Sequence, residues 1–205
     1  MASASHGKDL FPIESKRCFL IFVLTHLPLT SMMNLTMENS PIMTLDPEHL
    51  RDAMRAWSAG VTVVTSIHEG QKHGMTVNSF TSISLDPATI TISLQSGSRT
   101  HELITRSRAF AMTMLSKEQS KISDVFAGRF PDLQDRFTGL ETETLVTGCP
   151  LILGGLAWLD CRVVNTFEAG TNTLFIAEVL AARASRDGQP LIYHNRAYWQ
   201  LARLI

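Results

Sequence analysis

Cysteine is scarce in this sequence of 205 residues, and its three cysteines, Cys18, Cys149 and Cys161, are far apart. Their odd number and the lack of a C-x-x-C spacing give neither a disulfide framework nor a zinc site. The seven histidines form no H-x-H or H-E-x-x-H pair, so metal-binding motifs are absent as well. The simplest interpretation is reduced thiols, which predicts a cytoplasmic protein without a metal site.

Charge is also scarce. Charged residues make up 18% of the chain, against roughly 25% in typical soluble domains, and the net charge is -1. The sequence pI of about 6.6 gives no electrostatic basis for binding nucleic acid or an anionic membrane. So few charges favour a surface that is buried against a second copy of the chain.

Several nucleotide and hydrolase motifs are missing. The chain has no G-x-G-x-x-G after a strand, no G-x-x-x-x-G-K-[ST] and no G-x-S-x-G. These absences exclude a Rossmann dinucleotide site, a P-loop and a nucleophile elbow. Glu141 and Glu143 form an acid pair on paper, but a solvated loop is the favoured interpretation.

The first 44 residues differ from the rest of the chain. They contain the apolar run CFLIFVLTHLPL (18–29) behind Lys16 and Arg17. This run is too short to cross a bilayer, which takes about 20 residues, yet it resembles the apolar part of a signal peptide. A start-site artefact, a disordered extension and an export signal stay open. We therefore treat residues 1–44 as an N-terminal extension and residues 45–205 as one folded domain.

Strand patterns dominate the folded domain. The runs that predict strands are VTVVTSIH (61–68), AFAMTML (109–115), LAWLDCRVVNTFEAG (156–170), TLFIAEVLAARASRDG (173–188) and, as a last strand or irregular tail, PLIYHNRAYWQL (190–201). HGMTVNSFTSISLDPATITISL (73–94) predicts two more strands that meet at Asp86-Pro87. Strands in hairpin order indicate an antiparallel sheet, closed as a barrel.

Helices are expected at three places. The first begins at the N-cap Asp46, carries an apolar stripe of Leu50, Met54 and Trp57, and ends at Gly60. The second follows SGSR with Thr100 as its N-cap. The third has a capping box of Ser116 and Gln119 and is closed by Gly128.

Two segments carry polar groups that suit a ligand. After Gly74, a strand spends many positions on small polar side chains, which lets its backbone approach a ligand; an edge strand with a polar outer face is the alternative. Ser98, Arg99 and Thr100 offer two hydroxyls, a guanidinium and free N–H groups at a helix start. That set suits a phosphate, and a capped helix with a surface arginine is the alternative.

Together these segments resemble the flavin reductase-like family. The matching stretches, in order from about Leu45 to Leu201, are RAWSAGVTVVTS, HGMTVNSFTSISLDP, FAMTMLSKEQSKISDVFAG, DRF, GCPLILGGLAWLDCRV, TLFIAEV and PLIYHNRAYWQL. The resemblance implies a mainly β fold with short helices, an antiparallel split β-barrel of the FMN-binding type. It also implies reduction of FMN or FAD by NADH or NADPH, a homodimer, and a monooxygenase partner that receives the reduced flavin.

The resemblance implies a set of cofactor-binding residues. They are Thr76, Val77, Asn78 and Ser79 along the flavin ring, Ser93 and Leu94 near the ribityl chain, Ser98, Arg99 and Thr100 at the phosphate, and Ala127, Gly128 and Arg129 closing over the flavin. Hydride would pass directly between the two cofactors, so no catalytic acid or base is implied.

One turn departs from the family pattern. Where such reductases commonly have Gly-Asp-His, this chain has Gly170-Thr171-Asn172, and an amide lacks the charge and stacking face of imidazole. We expect Asn172, His194 and Tyr198 to bind the nicotinamide, although the last two could equally pack the final strand. A non-catalytic FMN-binding or electron-relay module, and a flavin oxidoreductase acting directly on a small organic substrate, remain alternatives.

Overall fold

A computed structural model describes residues 45–204 of the chain. The expectations for residues 1–44 lie outside the described residues. The helices are α1 (Pro47–Met54), α2 (Arg99–Ser107) and α3 (Ser120–Phe126), and a 3₁₀ turn spans Lys117–Gln119. The strands are β1 (Ala59–Gly60), β2 (Thr62–His68), β3 (Gln71–Val77), β4 (Thr81–Leu85), β5 (Ala88–Gln95), β6 (Ala109–Met114), β7 (Thr142–Glu143), β8 (Leu151–Ile152), β9 (Ala157–Ala169), β10 (Asn172–Ala184), β11 (Ile192–His194) and β12 (Ala197–Trp199).

Seven strands form the main sheet in the order β3-β2-β6-β9-β10-β5-β4, and each strand is antiparallel to its neighbours. A three-stranded sheet, β1-β11-β12, and a two-stranded sheet, β7-β8, complete the described part of the chain. The prediction of a mainly β, antiparallel fold with short helices is confirmed.

The connection between β3 and β4 requires the main sheet to curl. These strands follow each other in sequence but form opposite edges of the sheet. The chain from Val77 to Thr81 reaches at most about 15 Å. The edges of a flat seven-stranded sheet would lie about 29 Å apart. The sheet must therefore bend into a barrel that brings its two edges together at residues 78–80.

This connection corrects one sequence-based prediction. Residues 73–94 do not form two strands but span three, because β3 ends at Val77 and β4 begins at Thr81. The hydroxyl of Ser79 donates to the carbonyl of Ser93 in β5 at 2.8 Å. The polar residues between β3 and β4 thus belong to the connection that joins the two sheet edges, not to one continuous strand.

The alternation of β2 divides its side chains between two cores. Val64 lies inside the barrel with Ile92, Phe110 and Phe175, all fully buried. The neighbouring Val63 points to the opposite face, where it packs with Phe126 of α3 and with the side chains Leu115, Phe137 and Ile152. Because successive strand residues face opposite sides, β2 attaches α3 to the outside of the barrel.

Two predicted helix boundaries are wrong. α1 ends at Met54, and Gly60 instead belongs to β1, where it pairs with Ile192. Ser98, not Thr100, is the N-cap of α2, and its hydroxyl accepts from the His101 amide at 3.4 Å. In both cases a partner elsewhere in the molecule sets the boundary. The predicted capping box of Ser116 and Gln119 is confirmed.

Gly74 lies where α3 crosses β3. A Cβ atom at this position would come within 2.8 Å of Phe126 Cε1 and 2.9 Å of the Val64 carbonyl oxygen. Gly74→Ala should therefore lower the free energy of unfolding by about 1–3 kcal/mol, the usual cost of overpacking. Urea denaturation measures this change.

Gly60→Ala is the matched control for this substitution, because a Cβ at Gly60 meets no atom within 4 Å. Its free energy of unfolding should stay within about 0.5 kcal/mol of the wild-type value. Equal stability of the Gly74 variant and wild type would contradict the close approach of α3 to β3.

Candidate functional site

A crevice runs between the end of β3 and the end of α3. Its first part is a cavity of about 180 Å³. The walls of this cavity are Val61, Thr76, Val77, Asn78, Ser123, Ala127, Arg129, Tyr193 and Tyr198. Apolar and aromatic groups dominate these walls, with a few polar groups at the strand edge, which is the usual make-up of a site for a flat organic ring.

The second part of the crevice is a cavity of about 400 Å³. Its walls are His73, Met75, Thr76, Ser98, Arg99, Thr100, Phe126, Ala127 and Arg136. Thr76 and Ala127 line both cavities. The structure therefore joins the strand end at 76–78 to the helix start at 98–100 in one crevice, apolar at one end and cationic at the other.

The edge position of β3 explains why its backbone is available in the crevice. β3 pairs with β2 on one side only, because it is the first strand of the main sheet. An edge strand presents main-chain N–H and C=O groups that have no ladder partner. The hydroxyl of Thr76 donates to the Ser123 carbonyl at 2.7 Å, which fixes α3 beside this edge.

The C-terminal hairpin supplies the opposite wall. Tyr198 donates its hydroxyl proton to the carboxylate of Asp124 at 2.6 Å, and its hydroxyl oxygen lies within hydrogen-bonding distance of the Ser123 hydroxyl, at 2.9 Å. Burial, followed by the hydrogen bond to Asp124, raises the pKa of Tyr198. Arg129 forms an ion pair with Asp124 at 3.0 Å, with its guanidinium 5.9 Å from the centre of the Tyr198 ring. Tyr193 stacks edge-to-face on Tyr198 at 5.7 Å.

Thr100 lines the second cavity with Ser98 and Arg99, but its hydroxyl is already engaged within the protein. Its hydroxyl is buried and hydrogen-bonds Nδ1 of His73 at 2.8 Å, so it braces α2 against β3. Arg99 is exposed at the first position of α2, and no ion pair involves it among residues 45–204. Ser98 and Arg99 are thus the side chains of this segment that remain open to an anion.

Arg136 is a site residue that sequence reasoning missed. Its Nη1 donates to the carbonyls of Gly74 and Phe126, each at 2.9 Å, which ties β3 to the end of α3. Burial and the nearby charge of Arg99 lower its pKa. A Cβ on Gly128 would lie 3.1 Å from Arg136 Nη2. In the sequence, the only sign of Arg136 was the short stretch DRF, which is part of the family resemblance but was given no role in the site.

A polar chain links three of the predicted residues that line neither cavity of the crevice. Ser79 bonds the backbone of Ser93, and Asn172 Nδ2 donates to the Ser93 hydroxyl at 3.2 Å. Leu94 is 1% exposed with its side chain in the barrel core, so only its backbone could face a ligand. Asn172 therefore supports the strand end rather than lining the first cavity.

The structure does not gather the three expected nicotinamide residues around one cavity. Tyr198 lines the first cavity. His194 instead bonds the Ser58 hydroxyl at 2.9 Å and lies edge-to-face against Trp199. The packing alternative considered for His194 therefore describes its surroundings better than a place in the crevice.

His73, at the cationic end of the crevice, makes the stability of the protein depend on pH. Burial, followed by the charges of Arg136 and Arg99, lowers its pKa from 6.5 to about 4. Between these pH values the unfolded chain binds more protons than the folded one, so stability falls as the pH falls from 6.5 toward 4. Because the ring is only half-buried, we expect a loss of about 1 kcal/mol after solvent screening.

His73→Gln keeps a hydrogen-bonding side chain but removes this titration. Urea denaturation at several pH values should show a shallower fall in unfolding free energy below pH 6.5 for the variant than for wild type. Parallel pH profiles of the two proteins would contradict a lowered pKa for the half-buried His73.

The described helices, the longest of which has nine residues, are too short to cross a bilayer. Among residues 45–204, no three His, Cys, Asp or Glu side chains are grouped so that they could hold a metal ion.

Comparison with known proteins connects this crevice to a family. The family model described as flavin reductase like domain matches residues 54–202. The NADH-dependent flavin reductase StyB of Pseudomonas fluorescens is 36% identical over 167 residues, covering 80% of this chain and 95% of the relative. The FMN reductase (NADH) SmoA of Agrobacterium fabrum is 39% identical over 153 residues, covering 75% of this chain and 85% of the relative.

A solved structure gives the same result. The styrene monooxygenase flavin reductase of Pseudomonas putida S12 superposes with a TM-score of 0.69 at 36% sequence identity, covering 77% of this chain and 99% of that chain. The predicted split barrel is confirmed by this likeness and by the curled antiparallel sheet. The chain belongs to the flavin reductase-like family.

Proposed function

We propose that the protein is an NADH-dependent flavin reductase that delivers reduced FMN or FAD to a separate flavin-dependent monooxygenase. The observation that carries the proposal is the single crevice with an apolar end bordered by Ala127, Tyr193 and Tyr198 and a cationic end at Arg99 and Arg136. A flavin matches this crevice. Its flat, largely apolar ring system suits the apolar end, and its anionic tail suits the cationic end.

In this proposal, one end of the crevice binds the flavin ring and the other end binds its phosphate. The ring lies between the edge of β3 and Ala127, where the backbone of residues 76–79 hydrogen-bonds its polar edge. The tail phosphate lies at Ser98 and Arg99, near the N-terminus of α2, whose dipole favours an anion. Arg129 borders the ring from the loop after α3, and Gly128 of the same loop lies beside Arg136.

In the proposed reaction, the chain's own residues bind and orient the two cofactors and shield them from water. A bound flavin supplies the chemistry, which is acceptance of a hydride from reduced nicotinamide, while the protein holds the two rings in register. Tyr193 and Tyr198 cover one side of the first cavity and keep water from it. Asn172 keeps the strand end in place through Ser93, and Tyr198 is the crevice residue proposed to meet the nicotinamide.

The proposal includes a homodimer in the cytoplasm. Exposed apolar side chains on and just after α1 support the dimer, because Leu50, Met54 and Trp57 are 52%, 53% and 66% exposed among the described residues. Cys149 and Cys161 are free and buried, as expected in a reducing compartment. Sedimentation of the purified protein should give the mass of two chains, and a monomer would contradict this part of the proposal.

An anaerobic titration tests the activity. Protein loaded with FMN or FAD should lose its flavin absorbance near 450 nm on addition of NADH, and in air NADH should be oxidised faster than by free flavin alone. A protein that binds flavin but resists both NADH and NADPH would instead be a non-catalytic binding or relay module. A protein that binds no flavin would refute the proposal.

A further inference from the structure

A third cavity, of about 250 Å³, adjoins the cationic end of the crevice. We call it the Lys72 cavity, and it lies among Gln71, Lys72, His73, Arg99, Asp135 and Arg136. His73, Arg99 and Arg136 line both this cavity and the second part of the crevice. A ligand whose phosphate reaches Arg99 can therefore continue directly into the Lys72 cavity.

Positive charge is concentrated around the Lys72 cavity. Three cations, Lys72, Arg99 and Arg136, line it, and among residues 45–204 none of them forms an ion pair. Asp135 is the one carboxylate in its wall, and its Oδ1 accepts from the Phe137 amide at 2.9 Å. The whole chain has a net charge of -1, so this grouping is local.

A single phosphate at Arg99 does not account for Lys72. Lys72 lines the third cavity and neither of the other two, with its ammonium 4.6 Å from the centre of the Phe137 ring. FMN ends at one phosphate, whereas FAD carries a second phosphate bonded to the first. The second phosphate must lie beside the first, which is the position of the Lys72 cavity relative to the cationic end.

We infer that the Lys72 cavity receives the second phosphate of FAD, with Lys72 and Arg136 as its cationic partners, so that the protein binds FAD in preference to FMN. This inference rests on the proposed function, because it assumes that a flavin ring lies in the first cavity. The adenosine continues outward past Gln71, at the exposed rim of β3.

Three flavins of increasing tail length test the inference. Riboflavin has no phosphate, FMN has one and FAD has two, so flavin fluorescence titrations give the contribution of each phosphate separately. Wild type should bind FAD about 10-fold more tightly than FMN, equivalent to about 1.4 kcal/mol. The preference should shrink as salt is raised, because screening weakens contacts between exposed charges and phosphate.

Lys72→Gln should remove most of the preference, leaving the FAD and FMN dissociation constants within about 2-fold of each other. Its Kd for FMN should stay at the wild-type value. Asp135→Asn removes the opposing carboxylate and should increase the FAD preference about 3-fold. Arg106→Gln is the charge-matched control, because Arg106 is exposed at the far end of α2, and it should leave the preference unchanged.

The possible failures are distinguishable. Equal affinity of wild type for FMN and FAD, or an unchanged FAD preference in the Lys72→Gln variant, would overturn the inference and leave the proposed function standing. A raised KM for NADH or NADPH in that variant, with unchanged flavin affinities, would assign the cavity to the pyridine nucleotide and also overturn it. Binding of none of the three flavins would refute the proposed function itself.

Discussion

Replacing Ala127 by tryptophan should raise the Kd for FMN at least about 100-fold. Ala127 lines both cavities of the crevice at the place where they meet, opposite Thr76. An indole attached there occupies the apolar cavity of about 180 Å³ that the proposed function assigns to the flavin ring. Flavin fluorescence titration measures the Kd, and NADH oxidation should fall in parallel.

A small side chain at the same position is the control. Ala127→Ser leaves the cavity open, so its Kd for FMN should remain within about 3-fold of wild type. Ala127 is exposed at the end of α3, so neither variant disturbs the core, and thermal denaturation should confirm that both fold. Wild-type flavin binding by a folded Ala127→Trp variant would mean that the ring binds elsewhere.

Replacing Arg99 by alanine should raise the Kd for FMN about 10- to 100-fold, the loss expected when one charge-assisted contact to a phosphate is removed. The guanidinium is exposed at the cationic end of the crevice, beside the N-cap Ser98. Its loss leaves Arg136 as the other arginine lining that end of the crevice, but Nη1 of Arg136 already donates to two backbone carbonyls. Isothermal titration with FMN measures the change.

Riboflavin provides the internal control for Arg99. It lacks the phosphate, so its Kd should be the same for the Arg99→Ala variant and wild type. Arg106→Ala, which removes an equal charge from the last turn of the same helix, should leave FMN binding unchanged. Equal losses for riboflavin and FMN would show that Arg99 acts on the structure of α2 rather than on a phosphate.

Local signals were sufficient for the N-cap of α1, for the capping box before α3 and for the long strands. Asp46 caps α1 by accepting from the Glu48 amide at 2.9 Å, and the box of Ser116 and Gln119 begins the 3₁₀ turn before α3. The β-branched and alternating runs form β2, β9 and β10 as expected. Each of these features depends on residues close in sequence, so the chain's own pattern is enough to predict it.

Predictions failed where a distant partner decided the outcome. The hydroxyl of Thr100 bonds His73, 27 positions away, which leaves the N-cap of α2 to Ser98. Gly60 pairs with Ile192 of the tail hairpin instead of ending α1. Arg136 enters the crevice because it reaches the Gly74 carbonyl, 62 positions away. Short-range pattern contains no information about such contacts.

By itself, the sequence determined a mainly β antiparallel fold and the two polar segments at 76–79 and 98–100, because alternation and capping act over a few residues. Only the tertiary structure decided that both segments line one crevice with Ala127, that β3 is an edge strand, and that Arg136 joins Arg99. The physical reason is that strand pairing and helix docking are set by burial summed over residues far apart in the chain.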